Sequence, residues 1–225
     1  MATIQSVEAS IKIADNWQQK GEPTWVSKCV SSALMGYLQI ALTEHAIPAS
    51  GIAWLASRGV AALLERHLDT LQTLAADVQA GKRPGSVIAG NYPPLVFAHF
   101  AWCLDQRELG DAFVTFARNP HVNDLNTRFW QEYARGLVAV VSGVPYHPAE
   151  TGLRGEEKYW AAYLPLFEAV SNSQDPQTAV AEIERLFPIR NSDRKITDAH
   201  QIEGSAHGPV KWNFRLTGLL RRLQG

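Results

Sequence analysis

The side chains best suited to chemistry are concentrated in the last third of the 225-residue chain. From position 190 onward there are seven Lys and Arg residues and three acidic ones, whereas residues 150–184 hold seven acidic residues and two basic ones. Neighbouring blocks of opposite charge can steer a partner and set specificity. They can equally pair with each other, with Arg190 and Arg215 meeting Asp193, Asp198 or acids of the preceding helices. The sequence leaves both interpretations open.

Three residues of the same region, His200, Glu203 and His207, have side chains that bind zinc or iron. Their spacing does not fit a helical zinc site, which places two histidines four residues apart, because these two are seven apart across Gly204. A Glu-x-x-His pair of the kind that di-iron bundles use does not occur elsewhere. We therefore expect no metal.

Two motifs of nucleophilic catalysis and nucleotide binding are absent. The chain has no G-x-S-x-G elbow, and it lacks the G-x-G-x-x-G loop that holds dinucleotide phosphates. We expect a protein that is not an enzyme and has no cofactor. The alternative is an enzyme or small-ligand binder, with a pocket between helices where Arg190, Asp198 and His200 converge.

Composition narrows the class of protein further. The 21 basic and 22 acidic residues give a net charge of -1, which argues against a nucleic-acid partner. The most apolar stretch, Cys29–Leu42, is shorter than the roughly 18 residues of a membrane span. Neither it nor the N-terminus resembles a targeting segment, so we expect no membrane association and a bacterial cytoplasmic location. Cys29 and Cys103 are expected to be reduced core residues, and His67 and His99 hydrogen-bonded core histidines.

Helical periodicity positions these residues. Apolar side chains recur every three or four residues along most of the chain, and strand-like composition is scarce. The pattern predicts helices near 23–46, 50–80, 94–106, 109–117, 125–142, 156–171 and 176–186, with a last helix beginning near Pro209. We predict an all-α fold, either an irregular helical bundle or stacked antiparallel hairpins. A single domain spans 1–225, and the Gly143–Gly155 loop is the one possible subdomain boundary.

Tryptophan is abundant for a chain of this length. Seven residues occur, at positions 17, 25, 54, 102, 130, 160 and 212. Each one is individually expected to clamp helices together. Because tryptophan is also enriched at binding hot spots, two or three on the surface would be typical of a binding protein.

The tail carries a resemblance to a known class of proteins. The pattern Arg190-x-x-Asp193-Arg194, Asp198, Glu203-Gly204 and Lys211-Trp212-Asn213-Phe214-Arg215-Leu216, at the end of an all-helical chain, resembles immunity proteins of bacterial polymorphic toxin systems. The resemblance covers about the last 40 residues. It implies a cytosolic, non-catalytic protein that binds one cognate toxin, and it implies no catalytic residue.

We therefore predict a protein-binding face made of the Gly143–Gly155 loop, the acidic helices and the tail. The predicted contact residues are Glu156, Glu157, Trp160, Glu182, Glu184, Arg190, Asp193, Arg194, Asp198, Trp212 and Arg215. A toxin that attacks nucleic acid would tend to be basic and would favour the acidic members. A helical scaffold or oligomer, marked by a contiguous exposed apolar face, is a further possibility.

Overall fold

The computed structural model describes residues 2–83, 94–119, 128–150, 161–172, 177–178 and 212–224. Across these residues the chain forms α-helices and one 3-10 turn and contains no strand, which confirms the predicted all-α class. The helices are α1 (Ile4–Gln19), α2 (Pro23–Glu44), α3 (Pro48–Ser57), α4 (Val60–Gln79), α5 (Pro94–Cys103), α6 (Arg107–Phe116), α7 (Arg128–Ser142), α8 (Leu164–Ser171, after the 3-10 turn Ala161–Tyr163) and α9 (Phe214–Gln224).

The first helix, α1, was not among the predicted elements. It begins with a capping box, in which the Thr3 hydroxyl accepts from the Ser6 N–H and the Ser6 hydroxyl accepts from the Thr3 N–H. The chain leaves α1 through Gly21 at a φ of 69°, a conformation that favours glycine, and enters α2 at Pro23. This short connection makes α1 and α2 an antiparallel hairpin.

The predicted long helix over residues 50–80 is two helices. The break falls between α3 and α4, where Gly59 adopts a φ of 66° and a ψ of 26°. Left-handed backbone of this kind cannot continue an α-helix. The apolar spacing runs through the break without a change, so periodicity alone did not reveal it.

The core is built around two central helices. The long helix α2 packs against α1 and α4, while α5 packs against α6 and the C-terminal helix α9. All ten residues of α5 are buried, as expected for the sequence PLVFAHFAWC, which has no polar face. Contacts of α4 with α5 and α6 join the two groups, and buried apolar side chains from Val7 to Leu219 form one hydrophobic cluster.

The final helix lies directly against α5. A Cβ placed on Gly218 would lie 2.3 Å from the backbone oxygen of His99, so the two helix backbones approach closely at this point. The Cys103 thiol donates to the backbone oxygen of Phe214, at 2.9 Å. Neither Cys103 nor the partly buried Cys29 is in a disulfide.

The longest helix, α2, has polar residues on its buried surface. Ser27, Ser31 and Gln39 all lie in the interior together with its aliphatic residues.

In the part of the chain that the structure describes, none of the helices combines the length and the apolar composition needed to cross a membrane.

Candidate functional site

Of the eleven predicted contact residues, only Trp212 and Arg215 fall in the described ranges. The other nine lie outside the described residues: Glu156, Glu157, Trp160, Glu182, Glu184, Arg190, Asp193, Arg194 and Asp198. The histidines and the glutamate considered as metal ligands, at positions 200, 203 and 207, lie outside them as well. Within the described residues, no group of three His, Cys, Asp or Glu side chains could hold a metal ion.

Trp212 is an interior anchor of the tail. Its side chain is 1% exposed, and its indole N–H donates to the backbone oxygen of Ala41 at 3.1 Å. The indole ring packs so closely on Gly51 that a Cβ there would lie 2.7 Å from the ring. Trp212 therefore fixes the chain against α2 and α3 just before α9 begins, and does not lie on the surface where a partner contact was expected.

Arg215 is also an interior residue. It has no exposed surface, and its guanidinium carbon lies 5.4 Å from the centre of the Phe214 ring. Its backbone oxygen hydrogen-bonds to Nδ1 of His99, at 3.1 Å, and Nε2 of His99 bonds to the hydroxyl of Tyr133, at 3.0 Å. Burial, reinforced by the Arg215 charge, lowers the pKa of His99 to about 3. Arg215 is thus part of the packing between α5, α7 and α9.

The loop after α7 is described as far as Glu150, and one buried carboxylate organises it. Oε1 of Glu132 accepts from the Tyr146 hydroxyl at 2.8 Å, from the Ala149 N–H at 3.0 Å and from Arg135 at 2.6 Å. Arg135 also donates to the backbone oxygen of His147. The part of the predicted contact loop that the structure describes is therefore held against α7 by a specific polar network.

A surface groove lies between α4 and the corner that joins α1 to α2, and we call it the α2–α4 groove. It is open to solvent and has a volume of about 560 Å³. The described residues that line it are Gln18, Gly21, Glu22, Pro23, Val26, Ala62, Glu65, Arg66, Asp69, Thr70, Thr73, Asp77 and Arg83. Apolar surface from Pro23, Val26 and Ala62 thus lies beside a line of polar side chains.

Carboxylates dominate the electrostatics of the groove. Glu65, Asp69, Thr73 and Asp77 are four residues apart along α4 and so share one face of the helix. Arg83 binds Asp77 at 3.3 Å and approaches Glu22 to 3.8 Å. The exposed carboxylates of Glu65 and Asp69 have no salt bridge with any described residue. Two of the four groove acids therefore remain available to a ligand.

Arg66 borders the groove and tethers its two walls. Its NH1 atom donates to Asp15 of α1 at 2.7 Å, across 51 residues of sequence. The Nε and NH2 atoms of Arg66 are buried, and no described residue hydrogen-bonds to them. Arg66 thus fixes α4 against α1 but does not neutralise Glu65 or Asp69.

Two tryptophans near the same corner, neither of which lines the groove, stack on each other. The rings of Trp17 and Trp25 lie 5.7 Å apart and 22° from parallel, and Trp25 is 48% exposed. The ammonium group of Lys20 lies 4.7 Å from the centre of the Trp17 ring, and that of Lys28 lies 4.9 Å from the Trp25 ring. Each exposed cation–π contact contributes about 0.5–1 kcal/mol. We call these four residues the tryptophan corner.

Sequence reasoning missed both features, although each has a signal. The groove acids repeat at an interval of four residues within an amphipathic helix, and each corner tryptophan precedes a lysine by three residues. Because helix α1 was not predicted, the stacking of Trp17 on Trp25 could not be predicted either. Two or three surface tryptophans would be typical of a binding protein. Trp25 is strongly exposed, whereas Trp102 and Trp212 are buried.

No family model matches the chain, and neither a curated protein nor a solved structure does so.

Proposed function

We propose that this chain is a protein-binding module that acts without catalysis, as an immunity protein does when it neutralises a cognate toxin by direct contact. The proposed occupant of the α2–α4 groove is a basic segment of the partner. The observation that carries the proposal is the pair of carboxylates, Glu65 and Asp69, which lie beside apolar surface and form no salt bridge with a described residue.

The groove suits a protein segment better than a small molecule. Small-molecule pockets are enclosed and mostly apolar, with a few polar groups that fix the orientation of the ligand. This groove is open to solvent, and apart from Ala62 its α4 wall consists of polar and charged residues. A Lys or Arg side chain can place its methylene groups on Pro23 and Ala62 while its charged group reaches Asp69.

The acidic residues predicted from sequence support the same class of partner. Glu156, Glu157, Glu182 and Glu184 belong to the chain segment with an excess of negative charge. A basic partner would be attracted to both acidic regions, because long-range steering depends on the summed charge. Separate charge-reversal variants of the groove and of the segment that contains Glu156 and Glu184 distinguish which acidic region a partner contacts.

The experiment begins with a partner purified from the native organism on immobilised chain and identified by mass spectrometry. Its affinity is then measured by calorimetry for wild type and for E65K/D69K. We expect a single basic partner and a loss of affinity of about 100-fold or more in the variant, since reversing two contact charges replaces attraction by repulsion. Co-expression of the wild-type chain should relieve the toxicity of that partner to growing cells.

Two further variants make the result specific. E8K/E108K has the same change in net charge as E65K/D69K, but it alters exposed acids that do not line the groove. It should keep most of the wild-type affinity. E156K/E157K/E182K/E184K tests the site that sequence predicted. A partner that binds E65K/D69K as tightly as wild type would exclude the groove, and failure to relieve toxicity would exclude the immunity role.

A further inference from the structure

The tryptophan corner has the composition of a binding surface of opposite charge to the groove. It presents stacked indole rings from Trp17 and Trp25 together with the ammonium groups of Lys20 and Lys28. We propose that it binds an acidic segment of a protein partner, in which aliphatic side chains lie on the indoles and carboxylates meet the lysines. The binding of this acidic segment does not depend on the basic segment that is proposed to occupy the groove.

The apolar part of the surface extends beyond the two rings. Ile13 precedes Trp17 by one helical turn on the same face of α1, and its side chain is 47% exposed. Four large apolar side chains of the described residues are strongly exposed, and Ile13 and Trp25 are two of them. A large aromatic surface that remains half in water is typical of binding hot spots, because its burial by a partner removes apolar area from solvent.

Charge complementarity selects the class of partner. Lys20 and Lys28 lie against ring faces and form no salt bridge with a described residue, so their charges are not neutralised by the chain itself. A carboxylate can approach an ammonium group from its solvent side without disturbing the cation–π contact. The tryptophan corner can therefore bind a segment in which carboxylates alternate with aliphatic side chains.

The geometry favours a protein over an anionic membrane. Amphipathic helices that lie on membranes carry lysines and arginines along their whole polar face. The charged residues of α1 are instead Glu8, Lys12 and Asp15, so the helix itself has no basic excess. The positive charge is local to the corner, which matches a short peptide better than an extended lipid surface.

The corner is also rigid enough to recognise a peptide without prior ordering. The turn after α1 is fixed by the hydrogen bond from the Glu22 N–H to the backbone oxygen of Trp17, at 3.0 Å. The stacking of Trp17 on Trp25 then joins the end of α1 to the first turn of α2. A preorganised surface loses little conformational entropy when a ligand binds.

The probe is a fluorescein-labelled peptide of alternating glutamate and leucine, compared with the same peptide made with glutamine in place of glutamate. Fluorescence anisotropy with the full chain at about 50 mM salt should give at least about tenfold tighter binding of the glutamate peptide. W25A should weaken that binding about tenfold by removal of the central ring. K20E/K28E should weaken it about tenfold or more, and K20R/K28R should keep it.

Equal affinity of wild type and K20E/K28E for the glutamate peptide would overturn the proposal, as would equal affinity of wild type for both peptides. Co-sedimentation with phosphatidylserine vesicles in the absence of peptide binding would instead assign the corner to membranes. A dimer of the free chain that W25A dissociates would assign the tryptophan corner to a second copy of the chain.

Neither K20E/K28E nor K20R/K28R alters a buried residue, and unchanged circular dichroism and melting temperature should show that both variants fold. The groove variant E65K/D69K should bind this peptide no less tightly than wild type, which keeps the two proposed surfaces separable.

Discussion

The imidazole of His67 lies edge-on against the ring of Phe97, with the two ring centres 4.7 Å apart. His67 has no exposed surface, and neither of its ring nitrogens hydrogen-bonds to a described residue. In His99, by contrast, both nitrogens are bonded, to Arg215 and Tyr133. Both histidines were expected to be hydrogen-bonded core residues. The structure confirms this for His99, whereas His67 packs as an aromatic residue whose two ring nitrogens have no hydrogen-bond partner among the described residues.

Replacement of His67 by leucine should therefore stabilise the protein. A buried polar group without a partner costs about 1–3 kcal/mol, and leucine can fill a similar volume without that cost. We expect H67L to raise the free energy of unfolding by about 1 kcal/mol at pH 7.5, measured by urea denaturation. H99L is the matched control and should lower it, because its two hydrogen bonds disappear. A destabilised H67L would show that His67 has a polar partner.

The two buried histidines also predict how stability depends on pH. Burial lowers the pKa of His67 and of His99 from 6.5 to about 3. The unfolded chain then binds protons below pH 6.5 while the folded chain does not, so stability is complete above pH 6.5 and falls as the pH decreases toward 3. Each histidine contributes about 1.4 kcal/mol per pH unit. The stability difference between H67L and wild type should therefore grow by about 2 kcal/mol between pH 6.5 and pH 5. A constant difference would contradict the low pKa of His67.

The attachment of the C-terminal helix α9 depends more on one aspartate than on another. Asp111 accepts from Arg222 at 2.7 and 2.8 Å and from the indole of Trp102 at 3.1 Å, and Arg222 is almost buried. Asp105 forms its ion pair with Arg221 at an exposed position. D111N should lower the free energy of unfolding by about 2 kcal/mol. D105N, the matched control, should lower it by less than about 1 kcal/mol. Equal losses in urea denaturation would mean that burial does not set the strength of these pairs.

Periodicity was sufficient for the fold class because it reports which side chains are buried. It predicted α2 closely, over residues 23–46, where the structure has Pro23–Glu44. It failed at Gly59, since a backbone break need not interrupt the apolar repeat. It also gave no prediction for α1, whose start depends on the hydrogen bonds of Thr3 and Ser6. Local hydrogen bonding and the φ angle of a single glycine are properties that hydrophobic spacing does not encode.

The candidate site was harder to predict because the charge or polarity of a residue does not indicate whether the folded chain buries its side chain. Arg215 and Trp212 were predicted to contact a partner, but the segment that contains them packs against Ala41 and His99 in the core. The acids of the groove are distributed along an ordinary amphipathic helix, and they form a site only because the α1–α2 corner lies opposite them. Such long-range proximity depends on tertiary packing, which one sequence does not specify.

Where α9 contacts α5 closely, at Gly218, replacement of glycine by alanine should destabilise the protein, although the same change usually stabilises a helix. Gly to Ala within a helix ordinarily gains up to about 1 kcal/mol from backbone propensity. At Gly218 the added methyl group would lie 2.3 Å from the backbone oxygen of His99, which cannot move alone. G218A should therefore lower the free energy of unfolding by about 1–3 kcal/mol. Faster hydrogen exchange in α9 should accompany the loss, and a variant more stable than wild type would rule out the close approach.

The loop after α7 should be released by a change at Glu132. Burial alone would raise the pKa of this carboxyl, but hydrogen bonds from Arg135, Tyr146 and the Ala149 N–H outweigh burial and lower it. In E132Q the amide keeps the size of the side chain but loses the charge that orients these donors. Hydrogen exchange at residues 145–150 should accelerate by about tenfold or more, because each lost charge-assisted hydrogen bond removes about 1.5–3 kcal/mol.

The same network predicts a pH dependence of the loop. Since the pKa of Glu132 is lower in the folded chain, its stabilisation is present above the pKa of the unfolded carboxyl and disappears as the pH falls through the folded value. Acid should therefore increase cleavage of the loop by a protease in wild type more than in E132Q, in which this group no longer titrates. Pepsin, which is active over this range, gives a direct measurement after correction for its own pH profile on an unfolded substrate. The same acid response in both proteins would show that the loop is held by contacts other than the carboxylate of Glu132.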